Sequence, residues 1–510
     1  MVDVLVIGGG IHGVAVARDA AHRGIDVLLV ERGDLASATS SRTSKMIHGG
    51  LRYLETGQLR LVREALRERA ILLRTAPEFV RPLPFLLPHY AGRGRSKRLV
   101  AMGLALYRWL AGKNAPTARP DLHAIETLSL VPALDPAELR GASVYADAQM
   151  DDAPLCVALA LDAERAGAGV RTHTEVVSLG RSADGRGWRA HLRDRLSGTE
   201  EDVEARAVVN ATGPWVDDVR AMALGHPAPS VRRTRGAHVV FPVPVSEHAL
   251  LLTARRDGRV FFVVPWGSHT LVGTTDDDDA SDPSAVRPSA DDVRYLAGEA
   301  AAALPGALSG SKPVRAFAGV RPLYRGRAER PWENTREHRI LMERGIWSIV
   351  GGKYTTHRAL AERVVDSLVK TLRLSAGKCA TATLPVRSGR EEALSRLRAD
   401  FPRNVHLGGG FTLTEAEVAH AVRAEKARAL DDLLLRRTRL WLDGRALREA
   451  AVPAAVWSAP LLGWSERTRA AEVERLLAIL EREQRAIDEA GAAPRAAPEA
   501  SGEKPRRARA

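Results

Sequence analysis

The chain has 510 residues, 45% of them hydrophobic, with 75 Lys and Arg against 62 Asp and Glu and a formal net charge of +13. That length exceeds one ordinary core and predicts about two or three domains. The two cysteines, Cys156 and Cys379, lack metal-like spacing and exclude a disulfide framework, and no run reaches the ~18 apolar residues of a spanning helix. No secretory leader is expected, because the chain opens directly into a strand. A pI near 10.1 fits an anionic substrate, an anionic membrane surface or nucleic acid.

In chain order, the apolar run to Ile7 predicts a strand, Gly8, Gly10 and Gly13 a tight turn into a helix, and Val27–Val30 a second strand ending at Glu31. This is the dinucleotide fingerprint. Gly8 permits the turn, Gly10 lets backbone N–H groups approach a pyrophosphate, and Gly13 lets helix and sheet pack closely. Glu31 accepts from ribose hydroxyls. The loop 38–45 is rich in Ser and Thr and supplies hydroxyls to the pyrophosphate and ribityl chain. Residues 59–73 have helical apolar spacing, 77–88 are proline-punctuated and extended, and 99–110 read as a short amphipathic helix bordered by Arg95, Lys97 and Arg98.

Further on, 152–166 predict a helix, 170–177 a strand, and 203–210 a strand ending in Ala211-Thr212-Gly213. Residues 232–275 carry β-type runs that predict a mostly antiparallel sheet inserted into an α/β domain. Residues 347–350 predict a strand, Gly351-Gly352 a turn, and 353–372 a long helix. Four consecutive acids, Asp276–Asp279, read as a solvated turn, and no metal is expected. The fold class is therefore α/β: a Rossmann-like domain with an inserted antiparallel β domain and a C-terminal all-α cap. The cofactor segments are about 1–80, 145–225 and 310–375, and the substrate segments about 81–144 and 226–309. A linker (376–402), a helical domain (403–490) and a disordered basic tail (491–510) follow.

The glycine motifs are split across more than 300 residues. Nicotinamide enzymes usually complete their site within one contiguous domain, whereas two-domain flavoproteins return late in the chain. A helix starting at Gly352, with Lys353 beside it, would stabilise the negative charge of a reduced flavin.

The ordered motifs ATSSRTSKMIHGGLRYLE (38–55), VNATGPW (209–215), GAHVV (236–240), GTTD (273–276), GVRPL (319–323) and GGKYTTHR (351–358) resemble the FAD-dependent, quinone-linked glycerol-3-phosphate dehydrogenases. The resemblance implies hydride transfer from C2 of sn-glycerol 3-phosphate to FAD, with electrons passed to quinone at the inner face of the cell membrane, and it allows a homodimer. It implies Arg52, Tyr53, Lys353 and Thr356 on the substrate, with Arg321 beside the reacting carbinol and His238 as the base. His48 is the rival base and reads better as a flavin contact. The cofactor set is Gly8, Gly10, Gly13, Glu31, Thr39, Ser40, Ser41, Ser44, Lys45, His48, Gly49, Gly50, Leu51, Val177, Ala211, Gly213, Gly352, Lys353 and Thr355. An oxidase using O₂ is the alternative within the class. Outside it stands a basic nucleic-acid-binding protein on an inert nucleotide fold, against which count 5% aromatic content and no nucleic-acid motif.

Overall fold

The structure, a computed structural model, describes residues 1–114, 121–325 and 338–492. Its first sheet grows around the opening strand, Val2–Ile7, whose last four residues are buried, as suits a parallel strand covered on both faces. Val2–Ile7 pairs in parallel with Val27–Val30 and with Glu200–Asn210, and the parallel order continues to Gly169–Arg171 and to Ile346–Val350. Helix Ile11–His22 packs over this sheet with helices Asp152–Arg165 and His357–Leu372. Because these strands run the same way, their C-terminal ends lie along one edge. Gly8, Glu31, Ala211 and Gly351 each follow such an end. That edge is where doubly wound sheets bind ligands.

Among the described residues, the second sheet has ten strands, all antiparallel pairs except Ala249–Thr253 with Val80–Tyr90. Its strand Val231–Phe241 runs beside Arg315–Tyr324 in long register, with His238 opposite Phe317 and Gly236 opposite Gly319. Met46–Ile47 and Arg315–Tyr324 belong to this sheet although both fall within the segments expected for the cofactor domain, and Leu139–Met150 runs across the expected boundary at 144 and 145. One helix, Ala290–Ala303, and the end of helix Glu466–Ala492 cover its core.

Several local expectations are corrected. The single strand expected over 170–177 is two, Gly169–Arg171 and Thr174–Arg181, broken by His173 in a left-handed conformation. The first continues the parallel sheet, while the second pairs antiparallel with Trp188–Asp194. The helix expected from 353 begins as a 3-10 turn, Tyr354–Thr356, and becomes α-helical at His357. The expected linker 376–402 contains a helix, Arg390–Leu397, tied to the cap by Arg390 on Glu425 at 2.7 Å. The expected all-α cap carries one short antiparallel pair, Asn404–His406 with Thr412–Thr414. Helix Glu466–Ala492 takes in residues 491 and 492 of the expected tail; the remainder of that tail, 493–510, lies outside the described residues.

Candidate active site

The opening turn has the stereochemistry that its glycines predict. Gly8 sits at φ +111°, and a Cβ on Gly13 would fall 1.9 Å from the Gly8 carbonyl oxygen. A Cβ on Gly10 would meet Ser40 Oγ at 3.2 Å, and that hydroxyl accepts from the Ile11 N–H at 2.9 Å. Glu31 reaches back over the turn, accepting from the N–H groups of Gly9 (2.6 Å) and Gly33 (2.8 Å). Burial pushes its carboxyl above the usual range. A helix N-terminus whose N-cap Gly10 has no side chain, a crowded glycine turn and a carboxylate at the next strand end together fit a dinucleotide.

The second glycine pair closes on the first. Gly351 and Gly352 have φ of +75° and +103°, and a Cβ on Gly352 would lie 2.5 Å from the His12 ring. His12 was not foreseen. Burial first, then the charge of His338, pushes it down to about 4, so it is neutral, and its Nε2 is buried without a hydrogen-bond partner among the described residues. Only its place inside the fingerprint could have flagged it. Across the same space, Thr355 Oγ1 accepts from the His48 N–H at 3.3 Å and bonds its carbonyl at 3.4 Å. Gly50 is left-handed, and a Cβ there would come within 3.4 Å of Lys353 Nζ. That ammonium sits 3.6 Å from the centre of the Tyr53 ring. Arg52 lies in the 3-10 turn Leu51–Leu54 that Gly50 introduces. Gly49 donates to Tyr107 Oη at 2.8 Å, and Tyr107 donates to the buried Asp147, which also pairs with Arg69.

The second sheet presents the other half. His238 is 2% exposed and stacks on Phe317 at 5.1 Å. A Cβ on Gly273 would fall 2.1 Å from the His238 ring. Burial, then the charges of Arg321 and Lys45, hold this imidazole well below its ordinary range, so it is neutral at pH 7. Arg321 lies over Gly236, where a Cβ would be 2.1 Å from its Nη2. It donates to Thr274 Oγ1 (2.6 Å), the Thr275 carbonyl (3.1 Å) and Asp276 (3.1 Å). Phe262 bridges the halves, pairing with Gly273 in register and lying 6.3 Å from the His48 ring.

One expectation fails, and the other expected residues take the places given after it. Asp276–Asp279 is not a solvated turn. Asp276 is buried on Arg321, Asp278 and Asp279 pair with Arg232 and Arg235, and Asp277–Asp278 adds a strand beside Thr234–Arg235. The Arg-rich run 232–235 was the signal that those carboxylates would be matched. Lys45 is buried on Asp152 and the Ser41 carbonyl, 4.3 Å from the Trp441 ring. Ser44 Oγ is 2.9 Å from His238 Nε2, so it orients the imidazole. Thr39 donates to the Val320 carbonyl at 2.6 Å and Ser41 to Ala38 at 3.3 Å, so each bonds backbone. Thr356 bonds the Lys353 carbonyl at 3.5 Å. Val177 is the extra residue of a bulge between Val176 and Ser178, while Ala211 N–H bonds Ile7 and Gly213 is left-handed.

Residues 3–366 match the family described as FAD dependent oxidoreductase, and residues 388–469 match the C-terminal domain of alpha-glycerophosphate oxidase. The chain is similar to glycerol-3-phosphate dehydrogenase 2 of Mycobacterium tuberculosis, 36% identical over 94% of this chain and 88% of the relative. It is also similar to the mitochondrial glycerol-3-phosphate dehydrogenase of Homo sapiens, 34% identical over 92% of this chain and 72% of the relative. Among solved structures it resembles the glycerol-3-phosphate dehydrogenase from Bacillus halodurans complexed with FAD, at TM-score 0.73 and 25% identity over 95% of both chains. L-alpha-glycerophosphate oxidase from Mycoplasma pneumoniae shares the fold at TM-score 0.56 and 19% identity, over 76% of this chain and 99% of that one.

Proposed function

The chain belongs to the FAD-dependent glycerol-3-phosphate dehydrogenases, and from that premise we propose that its site oxidises the C2 hydroxyl of sn-glycerol 3-phosphate, giving dihydroxyacetone phosphate. The carrying observation is that cations and a neutral base stand against the glycine positions of both sheets. Lys353 stands over Tyr53 beside Gly50, and on the second sheet Arg321 lies over Gly236 with neutral His238 against Gly273.

The residues divide the work by charge. A phosphomonoester is a dianion, matched by the Arg52 fork and the Lys353 point charge, with Tyr53 and Thr356 shaping the wall. Arg321, held by Asp276 and Thr274, faces the carbinol oxygen and steadies alkoxide charge as it develops. Neutral His238, oriented by Ser44, takes the hydroxyl proton. When bound, FAD supplies the two-electron acceptor for the C2 hydride. Its pyrophosphate falls to the Gly8–Gly13 turn with Thr39, Ser40 and Ser41, its ribose to Glu31, and its adenine side to Val177, Ala211 and Gly213. Its flavin side falls to His48, Gly49, Gly50, Leu51, Gly352, Lys353 and Thr355.

Lys353→Ala raises KM for glycerol 3-phosphate by at least about tenfold, or ~1.4 kcal/mol of binding, and leaves KM for unphosphorylated glycerol unchanged. An equal change for both alcohols would remove Lys353 from the phosphate.

The acceptor is a membrane quinone, and docking is peripheral at the cytoplasmic face. Among the described residues no helix is long and apolar enough to cross a membrane. Helix Lys97–Ala111, however, exposes Leu99, Met102 and Trp109 at 48%, 65% and 74%, among Lys97, Arg98, Arg108 and Lys113. An apolar face with a cationic rim suits an anionic lipid surface. Tyr107 of that helix bonds Gly49 of the flavin turn, so the docking face backs directly onto the site.

A further inference from the structure

The C-terminal helical domain has no residue in the reaction, yet it touches the first cofactor turn. Asp34 lies three residues after Glu31 and is buried. Its carboxylate is gripped by two consecutive arginines of the cap. Arg437 donates to both of its oxygens, at 2.6 and 2.7 Å, and Arg436 donates through Nε. Both arginines are 4% exposed and are themselves fixed. Arg436 bonds Asp432 at 2.6 Å and Asp431 at 3.0 Å, while Arg437 bonds the carbonyls of Glu425 (2.8 Å) and Asp432 (2.9 Å). Asp432 reaches back to the core at His173 Nε2, 2.9 Å away. The His173 N–H in turn donates to the Gly33 carbonyl at 2.7 Å.

The gripped segment is one hydrogen bond from the fingerprint. Ala36, in a left-handed conformation, donates to the Gly9 carbonyl at 3.0 Å, and Glu31 accepts from both Gly9 and Gly33. Leu35 packs where a Gly9 Cβ would be, 3.1 Å away. Moving Asp34 therefore moves both Gly9 and the ribose acid. A domain that only added stability could dock on any face. This one docks on the loop between the ribose acid and the Ser/Thr segment, and covers Lys45 and Phe317 with Trp441.

We propose that the C-terminal domain is a cofactor-retaining clamp, with Arg437 and Arg436 as positioning residues that act through Asp34 on the Gly9–Glu31 turn. This rests on the turn binding the adenosine diphosphate half of FAD. Burial of the ion pair makes loss of one partner costly for the group left behind. The loop then relaxes in the apoprotein, and each binding event has to order it again.

The test uses full-length apoprotein titrated with FAD and separately with ADP, read by flavin fluorescence and by calorimetry. No substrate is added, so failure here is separate from failure of the proposed reaction. Arg437→Ala weakens FAD and ADP alike by at least about tenfold, while Arg437→Lys recovers part of the loss. The reconstituted variant keeps the wild-type visible flavin spectrum, since the flavin half is untouched. Arg403→Ala, which removes the exposed partner of a cap ion pair with the buried Glu415, leaves both affinities unchanged. Asp34→Asn, made in the core with the cap intact, repeats the loss and serves if Arg437→Ala does not fold. Wild-type FAD and ADP affinity in Asp34→Asn, or an equal loss in Arg403→Ala, would overturn the clamp.

Discussion

At the scale of single residues, His238 and Arg321 gain their chemistry from what surrounds them. A histidine near its ordinary pKa of ~6.5 is substantially charged at pH 6. Burial against Phe317, with Arg321 and Lys45 close, keeps His238 uncharged well below that point. His238→Ala lowers kcat by about 10²–10⁴-fold while leaving FAD bound. Near-normal turnover would pass the role of base to His48. In the wild type, the acid limb that His238 imposes on kcat/KM lies below pH 6.5, because a depressed pKa leaves the base available as pH falls through that value. A limb at 6.5 or above would contradict the geometry. Asp276 belongs to this group because it fixes the Arg321 guanidinium over Gly236. As one of four consecutive acids it carries no distinguishing mark in the sequence. Its role emerges only when the second sheet lays it beside the arginine, 45 residues on.

At the scale of elements, the glycine turns were legible and the partners they bring together were not. A strand, three spaced glycines and an acid are a local pattern with a local cause, so Gly8, Gly10, Gly13 and Glu31 could be read directly. The boundaries that moved are those set by tertiary pairing. His173 divides one apolar run because its two halves join different neighbours, and Lys353 stays extended because Gly352 must clear His12. Ser44 and Lys45 lie in a loop whose polar character is legible in the sequence. Which hydroxyl or ammonium faces a ligand, and which faces Asp152 or His238, depends on chains more than 100 residues away. Helix Lys97–Ala111 was legible as amphipathic; it buries Leu104, Tyr107 and Ala111 and leaves Leu99, Met102 and Trp109 exposed. Trp109→Asp reduces cosedimentation with anionic lipid vesicles several-fold, and added salt weakens wild-type binding by screening the cationic rim. Binding unaffected by the substitution would place the membrane face elsewhere.

At the scale of the whole molecule, a basic chain holds four buried or half-buried histidines neutral. Burial pushes His12 and His338 down to about 4 and His357 to about 3, and His238 is also held low. The sign follows from proton uptake. Below pH ~6.5 the unfolded chain binds protons at these positions while the native chain does not. Their contribution is whole above 6.5 and is lost as pH falls toward 4, at up to about 1.4 kcal/mol per pH unit for each fully buried histidine. Tm therefore drops steadily between pH 6.5 and 4, and a flat Tm across that range would contradict the buried neutral state. The loops of the first sheet meet the second sheet at Ser44 with His238 and at His48 with Phe262, and the central claim concerns what reacts there. Under anaerobic conditions, glycerol 3-phosphate bleaches the visible flavin band of the purified holoprotein, and a soluble quinone added afterwards restores it faster than oxygen admitted to a parallel sample does. A band that glycerol 3-phosphate leaves unchanged would contradict the assignment of substrate and site together.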